Sequence, residues 1–368
     1  MRIEDGKSAP GEHPTMKVMV ATDAWHPQVN GVVRTLTSLA RAVQRLGVTI
    51  EFLSPEGFPT VALPTYKELR LAIPSRAGIA HRIEQIKPDS IHIATEGPIG
   101  HAVRAWCIRN GRRFTTSYTT RFPEYISART PLPRSWVESL VYAALKRFHG
   151  RATTTMVATP SLTAELRQRG FNNLGMWTRG VDTDLFRPDR AIDLGYPRPI
   201  FISVGRVAVE KNLEAFLSLD LPGTKVVIGS GPQEAELRRK FPDAKFLGLL
   251  KNGTLAAHLA GADVFVFPSL TDTFGVVQLE ALASGVPVAA FPVTGPKDVI
   301  GSNPALGALN DDLRVACLEA LKASRAECRA FALRSSWENS ARQFIGHMRK
   351  IAGDRTPIGM TDSAPAHA

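Results

Sequence analysis

Two hydrophobic patterns alternate along this chain. Short apolar runs such as MKVMVAT (16–22), VTIEFLSP (48–55), SIHIAT (90–95), RFTTSYT (113–119) and TTMVAT (154–159) read as buried strands. Between the first two, VVRTLTSLARAVQRLG repeats Val32, Leu36, Leu39, Val43 and Leu46 at helical spacing, with Gly47 placed to cap the end. Further helical stretches separate the later strands, and this alternation predicts a doubly wound α/β domain. A second series then begins with PIFISVG (199–205), TKVVIGSG (224–231), AKFLG (244–248), ADVFVFPS (262–269) and VPVAAFP (286–292). Each of these ends in a turn that leads into a helix, as in a second Rossmann-like unit.

The segment between the series, RGVDTDLFRPDRAIDLGYPRP (179–199), is rich in Pro, Asp and Arg and reads as a connection between domains. The expected organisation is a tail at 1–15, a first Rossmann-like domain at 16–180 and a linker at 181–198. A second Rossmann-like domain follows at 199–335, then a helix at 336–352 returning to the first, and a tail at 353–368. Both tails are polar and read as disordered, and the first lacks the apolar centre of a signal peptide. No apolar run approaches the ~18 residues of a spanning helix. Three scattered cysteines, Cys107, Cys317 and Cys328, fit a reducing compartment and offer no metal spacing.

Charge sharpens the division. The net charge is +11, and residues 1–180 carry all of it, with 24 Lys+Arg against 13 Asp+Glu; residues 181–368 carry 21 of each. The first half is therefore expected to meet an anionic surface or ligand. The charge alone would also suit nucleic acid, but no RNA- or DNA-reading motif occurs.

In open α/β sheets ligands sit where strands end, so the loops after strands hold the candidate chemistry. SVGRVAVEKN (203–212) places Arg206 and Lys211 after a strand, where they suit a diphosphate or form a solvated basic turn. The Gly-Ser-Gly turn at 229–231 suits an anion or only tight packing, and Asn30-Gly31 precedes a helix in the other domain. TDTFGVVQLEALASGVP (271–287) holds two acids, Asp272 in a turn and Glu280 in an apolar helix; an ordinary turn cap and a solvated glutamate are the plain alternatives. The Asp182-Thr183-Asp184 triplet matches a metal-binding pattern of transferases of another fold, but chance produces it often.

In order and spacing these loops resemble those of the retaining GT-B glycosyltransferases of family 4. The resemblance runs from about Met16 to about residue 350 on DAWHPQVNGVVRT, TSYTTRFPEY, TRGVDTDLF, SVGRVAVEKN, GSGP, TDTFGVVQLEALASGVPV and SWENSARQFIGHM. Within the family it is similar to bacterial lipid glycosyltransferases, such as those acting on diacylglycerol, and to GDP-mannose-dependent mannosyltransferases. It implies two Rossmann-like domains facing across a cleft, a nucleoside diphosphate sugar as donor, and no metal or other cofactor. By the same resemblance Arg206 and Lys211 would hold the donor diphosphate, with Gly31 near it. Asp272 would meet the sugar and Glu280 the ribose, and backbone N–H groups at Phe274, Gly275 and Val276 would face the donor; Arg206, Lys211 and Asp272 are the expected catalytic residues. Two positions depart from the family: its first acid is usually Glu rather than Asp272, and it commonly has His at Thr119. A hydroxyl can hydrogen-bond there but cannot carry positive charge.

The run 130–151, TPLPRSWVESLVYAALKRFHGR, combines Trp136, Val137, Leu140, Val141, Tyr142, Leu145 and Phe148 with Arg134, Lys146, Arg147 and Arg151. It reads as an interfacial helix on anionic lipid or as a core helix with a basic outer face. With the charge asymmetry and the resemblance, the expectation is a cytoplasmic enzyme bound to the inner membrane face that glycosylates a lipid, with diacylglycerol foremost. The alternatives are a GDP-mannose-dependent enzyme acting on a soluble or polyprenyl-linked glycan, and a catalytically silent nucleotide-sugar-binding protein.

Overall fold

The computed structural model describes residues 16–26, 31–62, 70–121 and 133–352. The expected tails lie outside these residues. The described strands are β1 (Met16–Ala21), β2 (Val48–Leu53), β3 (Thr60–Ala62), β4 (Arg70–Ala72), β5 (Ser90–Ile93), β6 (Thr115–Ser117), β7 (Thr154–Val157) and β8 (Leu174–Met176), followed by β9 (Ile200–Val204), β10 (Thr224–Ile228), β11 (Lys245–Phe246), β12 (Val264–Phe267), β13 (Val288–Ala290) and β14 (Gly307–Leu309). The helices are α1 (Gly31–Gln44), α2 (Arg76–Ile86), α3 (Pro98–Arg109), α4 (Arg134–His149), α5 (Pro160–Gln168), α6 (Leu213–Leu217), α7 (Glu234–Lys240), α8 (Asn252–Ala260), α9 (Val276–Ala283), α10 (Pro296–Val299), α11 (Leu313–Ala320), α12 (Arg325–Arg334) and α13 (Trp337–Ala352).

Two parallel six-stranded sheets result, ordered β2-β1-β5-β6-β7-β8 and β11-β10-β9-β12-β13-β14. Each is a Rossmann-like α/β unit. The apolar runs form their central strands: Val18 to Ala21, Ile200 to Ile202 and Val264 to Val266 are all essentially inaccessible. The antiparallel pair β3–β4 and the outermost strands β8 and β14 add to the predicted set. The α1 stripe shifts slightly, with Val33, Leu36, Leu39, Ala42 and Val43 fully inside and Val32 and Leu46 at its margins.

The chain leaves the first sheet after β8 and comes back through α13. Phe344, Ile345 and Met348 of α13 join Trp177, Leu36, Leu39 and Val18 in one core. The outgoing and returning backbones run side by side, with the Val181 N–H donating to the Ser335 carbonyl at 3.0 Å and a bridge from Val181 to Ser336. Gly180 makes this closeness possible: a Cβ there would lie 2.4 Å from the Trp337 nitrogen. The three cysteines are buried, and burial pushes each thiol up to about 12.

Within α4 the expected interfacial residues divide. Val137, Tyr142, Leu145 and Phe148 face inward and pack in the core, whereas Trp136 is 77% and Leu140 74% exposed. Lys146, Arg147 and Arg151 are exposed at the helix's far end.

Candidate functional site at the domain cleft

The site lies where the carboxyl ends of both sheets meet. After β9 the chain passes Gly205 and Arg206 and makes a short 3-10 turn, Val209–Lys211. Asn212 stops that turn in the left-handed region and its Nδ2 donates to the Pro268 carbonyl at 3.1 Å. This tie anchors the turn to the end of β12 and brings Lys211 to Asp272, with Nζ 2.7 Å from Oδ2. Oδ1 of Asp272 accepts the Thr273 N–H at 2.9 Å and the Phe274 N–H at 3.4 Å. Burial pushes the Asp272 carboxyl up, but Lys211 and these hydrogen bonds outweigh it and hold the group below the usual carboxylate range. Arg206 forms an ion pair with Glu210 one turn on.

The second acid is not solvated. Gly275 precedes α9 with φ 77°, and a Cβ there would meet the Phe267 ring at 2.8 Å, so the helix starts tightly against β12. Five residues into α9, Glu280 is 3% exposed. Oε1 pairs with Arg34, which stands in the first turn of α1 with Gly31. Burial pushes the Glu280 carboxyl up; Arg34 draws it down and Asp182 adds to the upward push. Of the expected residues, the structure thus joins Lys211 to Asp272 and Phe274, whereas Glu280 meets Arg34 instead. The Phe274 N–H points at Asp272, and the Phe274 carbonyl accepts from Gln278 at 2.8 Å. Gly275 and Val276 form the α9 start.

Sequence reasoning missed Arg121, although it lies in a quoted landmark. Its guanidinium grips Glu165 at 2.7 and 3.3 Å, and reaches Thr294 Oγ1 at 2.9 Å and the Asp272 carbonyl at 3.2 Å. Beside it the Thr273 hydroxyl donates to the Thr119 carbonyl at 3.0 Å, and Ser161 binds Asp298. The first domain therefore clasps the Asp272 turn. Arg121→Ala is expected to cost about 1–2 kcal/mol, because the half-buried Glu165 keeps only Tyr142 and Arg169 among the described residues, while Thr294 and the Asp272 carbonyl each lose a donor; urea unfolding curves measure it.

Three other placements complete the site. The Gly-Ser-Gly turn is knitted to the Arg206 loop, with Val207 N–H donating to the Ser230 carbonyl at 2.9 Å, which is its packing role. Asp182 caps its own turn through the N–H groups of Asp184 and Leu185. In the first domain Asp23 accepts from Ile99 and Gly100 at the α3 start and from Thr95, and burial pushes its carboxyl up despite them.

A cleft between two parallel sheets, with cations and acids at their carboxyl ends, is where open α/β folds hold their ligands. The family model described as Glycosyltransferase Family 4 matches residues 29–185, and that described as Glycosyl transferases group 1 matches residues 198–323. The chain is a family 4 glycosyltransferase. A sulfoquinovosyl transferase of Arabidopsis thaliana is 33% identical over 272 residues, 69% of this glycosyltransferase but 53% of that protein. A GDP-mannose-dependent alpha-mannosyltransferase of Mycolicibacterium smegmatis is 27% identical across 93% of this chain and 99% of its own. An alpha-monoglucosyldiacylglycerol synthase of Streptococcus pneumoniae is 24% identical across 84% and 79%. The GT-B fold is shared with sucrose-phosphate synthase of Thermosynechococcus elongatus, with a TM-score of 0.71 at 19% identity over 91% of this glycosyltransferase and 98% of that chain.

Proposed function

We propose that this glycosyltransferase moves a hexose or hexuronic acid from a nucleoside diphosphate sugar to a membrane lipid, diacylglycerol foremost, with retention at the anomeric carbon. The observation that carries the lipid reading is the outer face of α4, which offers Trp136 and Leu140 to solvent in its first half and Lys146, Arg147 and Arg151 at and just beyond its far end. A helix with an exposed apolar pair and exposed cations suits insertion at an anionic interface. The relative named for diacylglycerol supports it. In this reading the enzyme sits on the inner face of the cytoplasmic membrane; among the described residues no helix is long and apolar enough to cross a membrane.

In this mechanism Arg206 and Lys211 face the donor diphosphate. Lys211 has three donors, so it can keep Asp272 and still bind a phosphate oxygen. The bond from the anomeric carbon to the diphosphate breaks, and charge grows on the leaving oxygen, where fixed cations act most strongly. The acceptor hydroxyl attacks from the same face and its proton passes to the departing phosphate. Asp272 meets the sugar hydroxyls, and no metal takes part.

Vesicles test the lipid reading. Replacing Trp136 and Leu140 together by Ser is expected to weaken binding to phosphatidylglycerol vesicles about a hundredfold, from roughly 1.5 kcal/mol lost per side chain. Wild-type protein that ignores such vesicles at low salt sinks it. The near full-length likeness to a GDP-mannose enzyme favours a second reading, mannosyl transfer to a soluble or polyprenyl-linked glycan. Product analysis with UDP-sugars, GDP-mannose and a lipid extract separates the two.

A further inference from the structure

Glu280 is satisfied on one side only. Oε1 has Arg34, while Oε2 is buried and has no hydrogen-bond partner among the described residues. A buried carboxylate oxygen left without a donor is costly. Among the described residues its salt-bridge partner comes from the opposite domain, 246 residues away in sequence. That partner is well placed to serve without being consumed by packing, since the Arg34 side chain remains 44% exposed.

We propose that Arg34 is a positioning residue for the donor: it reaches across the cleft to fix Glu280 by Oε1, leaving Oε2 to accept a ribose hydroxyl of the nucleotide. This rests on the reading of Glu280 as the ribose-binding acid and adds the residue that makes it competent. The ribose site then belongs to neither domain alone. Opening the cleft withdraws Arg34 and leaves a buried acid with no countercharge, so a bound nucleotide favours the closed arrangement. The groups facing Glu280 sharpen this. Burial and Asp182, on the segment between domains, both push its carboxyl up, and Arg34 on α1 is what draws it down. Without Arg34 the acid takes up a proton more readily and becomes a poorer acceptor.

Calorimetry with UDP and GDP, on wild type, Arg34→Gln, Arg34→Lys, Glu280→Gln and the double variant Arg34→Gln/Glu280→Gln, tests the proposal. Arg34→Gln is expected to weaken the preferred nucleotide about tenfold at neutral pH, as removal of a charge-assisted contact does. The loss deepens as the pH falls, because burial and Asp182 push the Glu280 carboxyl up and Arg34 no longer draws it down. Arg34→Lys keeps the charge and stays within about threefold of wild type. In the Glu280→Gln background the Arg34 change has no further effect. Unchanged binding by Arg34→Gln, or an equal loss with and without Glu280, overturns the proposal. Thermal melts confirm that each variant is folded. Wild type that binds neither nucleotide overturns the donor-site reading instead.

Discussion

Lys211→Ala is expected to lower kcat for sugar transfer by about 10²–10³, the usual effect of deleting one preorganised group from a charge-stabilising site. Lys211 is firmly held. Its turn is pinned by Asn212 to the end of β12, and Nζ lies 5.6 Å from the centre of the Phe267 ring and 2.7 Å from Asp272. The cation therefore needs little reorganisation when charge develops on the leaving phosphate. Removing it does two kinds of damage. The diphosphate loses a positive partner, and Asp272 loses the group that offsets its burial. Its carboxyl then rises, so the acid limb of the rate profile moves to higher pH; where Asp272 is still ionised it faces the diphosphate as an uncompensated negative charge. Donor KM and kcat measured with UDP-sugars and GDP-mannose separate these effects. A variant within fivefold of wild type would remove Lys211 from the chemistry.

Phe344→Ala is expected to cost about 3–5 kcal/mol of stability, at the upper end for core truncations. Phe344 is fully buried in α13, with its ring centre 5.2 Å from those of both Trp177 and His92. His92 spans Thr115 and Ser117 with its two ring nitrogens, and burial, with smaller contributions from His347 and Arg179, lowers it to about 3. A cavity here cannot be filled by water without exposing a neutral imidazole and an indole that pack edge-to-face 5.9 Å apart. Urea unfolding followed by tryptophan fluorescence reads the loss, since Trp177 sits at the cavity. A cost below about 1 kcal/mol would mean that α13 contributes little to the first core.

Much of the architecture was legible because each long buried strand is a continuous apolar run that ends in a turn. The strands that were not legible are three-residue pieces at sheet edges or in the hairpin: Thr60–Ala62, Arg70–Ala72, Leu174–Met176 and Gly307–Leu309. Their existence is decided by a neighbouring strand rather than by their own composition. The α4 run looked uniformly amphipathic, yet the fold buries Tyr142 and Leu145 and leaves Trp136 and Leu140 outside. Helical spacing says which residues share a face and not which face a partner covers. In the site, family landmarks pointed to Lys211, Asp272 and Glu280 one at a time. The contacts of Arg34 with Glu280 and of Arg121 with the Asp272 turn join residues 246 and 151 positions apart. Such pairs leave no trace in local pattern, because the two domains create them only when they face each other.

The side-by-side crossing at Val181 and Ser336 bears on how the chain folds. The first core cannot close over Trp177 until α13 arrives, and every residue of the second sheet lies between them in sequence. Read as a bare loop, that intervening stretch would have to be gathered at an entropic cost that grows with the logarithm of its length. Once the second domain has folded, its two ends are already hydrogen-bonded neighbours. The loop the first domain has to close has then shrunk to the span of a turn, and the inserted domain has done the gathering before α13 docks.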